Sequence, residues 1–150
     1  MLVRTNFSVK GFWYNCFMKS DLSLDMPESS EMYLETILLL ERNNPTVRQV
    51  DIARVLGFKR PTVHVAVKKL AEQKLVQIDE GSKIALTPHG RQIAEAVYTR
   101  HKTFTRFLVH LGVDKQTAEI DACRIEHYVS EQTFQRIKDY CEKSLNGKSH

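Results

Sequence analysis

Between Ser30 and Thr87 the chain carries three short helical patterns followed by a hairpin signal, and that order restricts its possible folds more than any other feature. Ser29 or Ser30 is a good N-cap with carboxylates in the turn that follows. It leads into Tyr33, Ile37 and Leu40 on one helical face, and this first helix is expected to end near Asn43, Asn44 and Pro45. Thr46 opens a second segment of Val50, Ile52, Ala53, Val55 and Leu56, which stops at Gly57, a residue type that closes helices in the left-handed conformation. Phe58, Lys59, Arg60, Pro61 and Thr62 start a third helix, with Pro61 where a first-turn proline carries no penalty, and Val63, Val67 and Leu70 carry it to about Gln73. Leu75 to Asp79 and Lys83 to Thr87 then flank Glu80, Gly81 and Ser82, the pattern of a hairpin with a three-residue turn. Helix, short turn, helix and a two-stranded hairpin is the order of a winged helix-turn-helix.

Charge is distributed to match. Residues 46–106 carry 12 basic and 5 acidic side chains, whereas the flanking segments are slightly acidic and the whole chain is +4. A basic middle segment draws polyanions, and nucleic acid fits it better than lipid because no membrane-length apolar run accompanies it. A third helix lying in the major groove would present Lys59, Arg60, Pro61, Thr62, His64 and Lys68 to phosphates or base edges. The bland alternatives are a winged helix used only for protein contacts, or basic residues that merely solvate a surface.

From Pro88 a long helical pattern follows, with Ile93, Val97, Phe104, Leu108 and Leu111 on one stripe and His101 filling its skipped turn. A lone His on such a face is more often a satisfied core histidine than a ligand. The next helix starts at the N-cap candidate Asp114 and runs Ala118, Ala122, Ile125 and Val129 along one stripe. Beside it lie Glu119, Cys123, Glu126, His127 and Ser130, so a thiol, a carboxylate and an imidazole at i, i+3 and i+4 converge on one side. Together they suit a divalent first-row metal, though three ligands leave the coordination sphere unfinished. A Cys and a His one turn apart also suit a hydrolase nucleophile and base, although no oxyanion hole or orienting residue accompanies them. A last helix, Gln132 to about Lys143, reads as packing through Phe134, Ile137, Tyr140 and Cys141.

At 150 residues, 42% hydrophobic and 27% charged, the composition is that of an ordinary globular protein and excludes collagen-like and wholly disordered classes. Three unpaired-looking cysteines, Cys16, Cys123 and Cys141, argue against a secreted disulfide framework, so the expected compartment is the cytoplasm, with no membrane association. Phe12, Trp13, Tyr14 and Phe17 crowd together without helical or strand period, so residues 1–28 are expected to be a disordered arm, or to precede a true start at Met18 or Met26. The expected domains are a winged helix at 29–88 and a helical domain at 89–145, with a frayed tail at 146–150.

Five stretches together resemble the diphtheria-toxin-repressor family, the iron- and manganese-dependent repressors of bacteria. They are Ser30-Glu31-Met32-Tyr33-Leu34-Glu35, Asp51-Ile52-Ala53 with Pro61-Thr62-Val63, Leu86-Thr87-Pro88-His89-Gly90, Arg100-His101, and Ala122-Cys123-Arg124-Ile125-Glu126-His127. The similarity covers about residues 29–141 and resembles the shorter members that lack an SH3-like domain. It implies a mainly α fold, a winged helix followed by a helical metal-binding and dimerisation domain. It further implies a homodimer that binds double-stranded operator DNA, read as an inverted repeat, and represses metal-uptake genes when Mn2+ or Fe2+ is bound. Carried over by position, it makes Met32, Cys123, Glu126 and His127 one metal site, with Glu35 and His101 in a neighbouring or shared one. Met32 and Cys123 look like iron-type members, which often carry Glu and His where this chain has Thr105 and Glu119. The rival readings are a metal-independent winged-helix regulator with Cys123 as a redox thiol, and the Cys-His hydrolase.

Overall fold

The computed structural model describes residues 30–146. The aromatic run at Phe12 to Phe17, Ser29 as an N-cap, and the end of the tail lie outside the described residues. Six helices and two strands follow in the order α1 (Ser30–Asn43), α2 (Gln49–Leu56), α3 (Arg60–Glu72), β1 (Val76–Ile78), β2 (Ile84–Leu86), α4 (Pro88–His110), α5 (Lys115–Ile125) and α6 (Glu131–Asn146). The fold is mainly α, with α2 and α3 forming the helix-turn-helix and β1 and β2 the antiparallel wing. Val76 pairs with Leu86 and Ile78 with Ile84. No helix among the described residues is long and apolar enough to cross a membrane.

Helix α1 is the axle of the molecule. Every residue from Met32 to Leu40 is buried, as expected of a helix surrounded on all sides rather than one with a single core-facing stripe. It packs against α2, α3, β2 and α4, so one helix serves both the winged-helix unit and the helical part that follows. Gly57 closes α2 at φ 70°, and its N–H reaches Ala53 O; Pro61 sits in the first turn of α3. Val63, Val67 and Leu70 face the core, the stripe that the sequence predicts.

Element edges differ from the sequence pattern where a tertiary contact intervenes. The second helix starts after Arg48 rather than at Thr46, because Val47 is drawn into an isolated bridge with Ile84 and its carbonyl accepts Ile84 N–H at 2.8 Å. Helix α5 stops at Ile125, with Glu126 as its C-cap and His127 to Ser130 in the turn beyond it. Arg100 accounts for the early stop: its guanidinium donates to Glu126 O at 3.2 Å and Val129 O at 2.9 Å, satisfying carbonyls that further helix would have used. Leu111, predicted on the buried stripe of α4, is instead its C-cap residue and 61% exposed. The last helix is longer than predicted at both ends and includes Asn146, which the sequence assigns to the tail.

Thr87 and Gly90 join the wing to α4. Thr87 Oγ1 donates to Lys74 O at 2.8 Å and accepts Gly90 N–H at 3.1 Å, while Thr87 N–H donates to Leu75 O at 3.1 Å. That close approach explains Gly90, because a Cβ there would lie 1.9 Å from Leu75 O. Glu41 of α1 completes the joint by accepting from Leu86 N–H and pairing with Arg91. Gly90→Ala should therefore destabilise the protein by about 3 kcal/mol, since the obstructing atom is hydrogen-bonded backbone. Thermal unfolding should show a drop in Tm on the order of 5–10 °C.

Candidate metal centre and nucleic-acid interface

Glu35 projects from the middle of α1, Glu126 from the C-cap of α5 and His127 from the turn that follows it. One donor atom from each lies within 4.8 Å of the other two. Glu35 and Glu126 are 0% and 1% exposed. Both Glu35 oxygens, Glu126 Oε1 and His127 Nε2 are buried without a hydrogen-bond partner; His127 Nε2 stands 3.3 Å from Glu126 Oε1 without hydrogen-bond geometry. Leaving several such atoms unsatisfied in one place costs a fold several kcal/mol, so their convergence calls for a counter-charge. Two carboxylates and an imidazole are donors that a divalent first-row cation accepts, and the orphaned atoms are the ones such an ion would satisfy.

The remaining contacts orient this trio. His101, 4% exposed, sits with Nδ1 2.9 Å from the other Glu126 oxygen, Oε2. Thr105 Oγ1 donates to His101 O at 2.9 Å and lies 3.5 Å from His101 Nε2. His127 Nδ1 is 3.0 Å from Glu31 Oε2. Cys123, one turn before Glu126, is buried and adds no donor to the trio; with Met32 it belongs to the hydrophobic core around α1. The structure thus joins Glu35 directly to Glu126 and His127 and sets His101 against Glu126. Sequence reasoning missed Glu31, which reads as an ordinary first-turn carboxylate favoured by the helix dipole. Its signal is the i, i+4 spacing to Glu35, which puts both carboxylates on one face of α1.

Electrostatics follow from this crowding. Burial, reinforced by the Glu126 charge, pushes the Glu35 carboxyl well above the usual carboxylate range. Burial also acts on His127, pulling its pKa down, but the Glu126 and Glu31 carboxylates outweigh it and raise the value to about 9. The hydrogen bond from His127 in turn holds Glu31 below its ordinary range.

The predicted nucleic-acid face is at the start and along the exposed side of α3. Lys59, Arg60, Pro61, His64 and Lys68 are exposed and Thr62 is half-buried. His64 Nδ1 is 3.3 Å from Gln49 Oε1, so the first residue of α2 steadies a side chain of α3. Val65, 67% exposed, stands among these polar groups and was not anticipated from the sequence. Two positions on from Val63, it falls by helical period on the face opposite the Val63, Val67 and Leu70 stripe.

Two family profiles match this chain in succession. Residues 25–82 match the iron dependent repressor N-terminal DNA binding domain, and residues 87–145 match the iron dependent repressor metal binding and dimerisation domain. The chain belongs to the iron-dependent repressor family. A helix-turn-helix transcriptional regulator of Methanocaldococcus jannaschii is 36% identical to this repressor-family chain over 120 residues, covering 79% of it and 96% of the relative. The transcriptional regulator MntR of Escherichia coli is 36% identical over 74% of the chain and 72% of its own length. The diphtheria toxin repressor of Corynebacterium diphtheriae is 33% identical over 75% of the chain but only 50% of its own length. Among solved structures, a manganese-dependent transcriptional repressor in complex with manganese superposes with a TM-score of 0.67 at 32% identity, covering 74% of this chain and 51% of that one. IdeR of T. acidophilum superposes with the same score at 28% identity, covering 74% and 53%. The chain therefore spans about half the length of the diphtheria toxin repressor and of these two solved chains.

The pKa shifts fix the sign of a pH dependence. A His raised from 6.5 to about 9 contributes stability that is fully present below pH 6.5 and lost as pH rises through 9. Glu35, also shifted upward, costs stability as pH rises above its ordinary value, because its ionised form is the disfavoured one. Metal-free protein should lose Tm steadily between pH 6.5 and 9. His127→Gln should flatten that decline, and an equally steep curve in the variant would remove His127 as its source.

Proposed function

We propose that this chain is a metal-activated DNA-binding transcriptional repressor that senses Fe2+ or Mn2+ and controls metal-uptake genes. The observation that carries the reading is the set of orphaned buried donors of Glu35, Glu126 and His127, one supplied by the central helix of the winged-helix unit and two by the end of α5. Glu35, Glu126 and His127 would hold the ion, with His101, Met32 and Cys123 as further ligands or neighbours. The ion supplies positive charge that lets both carboxylates ionise together. The chain's own part is to tie α1 to the α5–α6 turn. That tie fixes α3 relative to the helical half, and so fixes the spacing of two α3 helices in a dimer.

A homodimer suits exposed apolar side chains at Val109, Leu111, Tyr128 and Tyr140, all in the helical half. Two-fold symmetry in the protein matches an inverted repeat in double-stranded operator DNA, and the site of action is then the cytoplasm. Lys59, Arg60 and Lys68 would meet phosphates, whereas Pro61, Thr62 and His64 would face base edges. By linkage, metal raises operator affinity by the factor by which operator raises metal affinity. Oxygen and imidazole donors suit Mn2+ and Fe2+ alike, while Met32 and Cys123, if they join, favour Fe2+. The chain is not an enzyme on this reading, in which His127 offers Nε2 to the ion beside Glu35 and Glu126 rather than to a thiol nucleophile. Cys123 is 1% exposed, which disfavours the redox-thiol reading.

Mn2+ and Fe2+ titrations read by operator binding test the proposal. Parent protein should gain operator affinity on adding either ion. Glu35→Ala and His127→Ala, checked for native helix content and dimer mass, should lose both metal affinity and the response. Folded variants that respond as the parent does would refute the site.

Replacing Lys59 and Lys68 should weaken binding to all sequences and lower the salt slope by roughly one unit per lysine. Changing Thr62 or His64 should alter sequence preference instead. An unchanged slope in the double lysine variant would move the DNA face elsewhere.

A further inference from the structure

His127 has two ring nitrogens on opposite edges, and the fold treats them differently. Nε2 is buried, has no hydrogen-bond partner and faces the Glu35 and Glu126 carboxylates. Nδ1 lies 3.0 Å from Glu31 Oε2, on the far edge of the ring. Glu31 is 44% exposed at its side chain and outside the trio whose donors gather within 4.8 Å. It stands one turn before Glu35 on the same face of α1, so a single helix supplies both a donor of the cluster and the group that grips the imidazole from behind.

We propose that Glu31 is a positioning residue for the metal centre: by accepting Nδ1–H of His127 it fixes the ring orientation and tautomer that present Nε2 to the ion. This rests on the reading of Glu35, Glu126 and His127 as that centre. A neutral imidazole carries one proton, and an acceptor held at Nδ1 keeps it there, leaving the Nε2 lone pair as the only one a cation can use. A carboxylate in this position also raises the basicity of the ligand, and removing such partners weakens metal binding by about 10- to 100-fold. The same contact joins the first turn of α1 to the turn after α5 before any ion arrives. Glu31 therefore sets the ring in place in advance, and binding does not have to reorient it.

Co2+ is a suitable probe, since its absorption bands report affinity and it shifts the N–H protons of ligating imidazoles to resolved positions in proton NMR. With full-length protein carrying 15N-labelled histidine, the parent should show a shifted, slowly exchanging Nδ1–H from His127. Glu31→Ala should bind Co2+ about tenfold or more weakly, and that N–H should exchange too fast to observe. Glu31→Gln keeps an amide oxygen as acceptor and should recover most of the affinity and the N–H signal. Parent-like affinity and N–H exchange in a folded Glu31→Ala protein would overturn the proposal. So would a loss that Gln fails to restore, because charge rather than the acceptor would then be responsible. His127→Ala measured alongside separates the two levels. If it binds Co2+ as the parent does, the metal-centre reading falls and this proposal with it; if it loses affinity while Glu31→Ala does not, only the role of Glu31 is overturned.

Discussion

Two carboxylates and an imidazole buried within one small volume cannot all keep their ordinary charges. In this protein the conflict between Glu35, Glu126 and His127 lies at the junction of α1 with the α5–α6 turn. His127 answers it by holding its proton up to about pH 9, and Glu35 by resisting ionisation. Each response is a compromise that a divalent cation would remove. A fold that keeps such a cluster at its centre accepts lower stability in exchange for sensitivity to whatever supplies the missing charge.

The surrounding architecture makes that sensitivity mechanical. Helix α1 is buried along most of its length and touches the helix-turn-helix, the wing and α4. Arg100 clamps the turn that carries His127 through the carbonyls of Glu126 and Val129, and its guanidinium stacks on Phe134 of α6. The wing is pinned in turn by Glu41, Thr87 and the close contact of Gly90 with Leu75. On the proposed reading, a change in the angle between α1 and α5 would reach α3 through these contacts. The coupling needs no long pathway, because α1 belongs to both halves.

Hydrogen bonding sorts the histidines of the cluster into different roles. His101 meets Glu126 Oε2 from α4, and Glu31 meets His127 from the exposed side. The cluster is thus bounded by α1, α4 and the end of α5, with Glu31 at its outer edge. Harder oxygen donors dominate the trio itself, while the sulfur atoms of Met32 and Cys123 lie in the apolar packing beside it. On the proposed reading, this arrangement places the choice between Mn2+ and Fe2+ in how far those sulfurs enter the coordination sphere.

Local chemistry in the sequence determined the winged-helix order, because caps, a first-turn proline, Gly57 and the hairpin turn act over a few residues and need no distant partner. Helical spacing also made Cys123, Glu126 and His127 legible as a group, and His64 and Lys68 as neighbours on one face. Family resemblance added Met32, Glu35 and His101, which spacing alone could not have connected to residues near 125. Tertiary structure decided the rest. Val47 was withdrawn from α2 by its bridge to Ile84, α5 was cut short by Arg100, and Leu111 was turned out to the surface. Glu35 rather than Cys123 was brought against Glu126 and His127, and Glu31 was set behind the ring. Each of these depends on the angle and distance between helices far apart in the chain, and packing of whole helix surfaces sets such quantities, whereas periodicity within a helix carries no information about them.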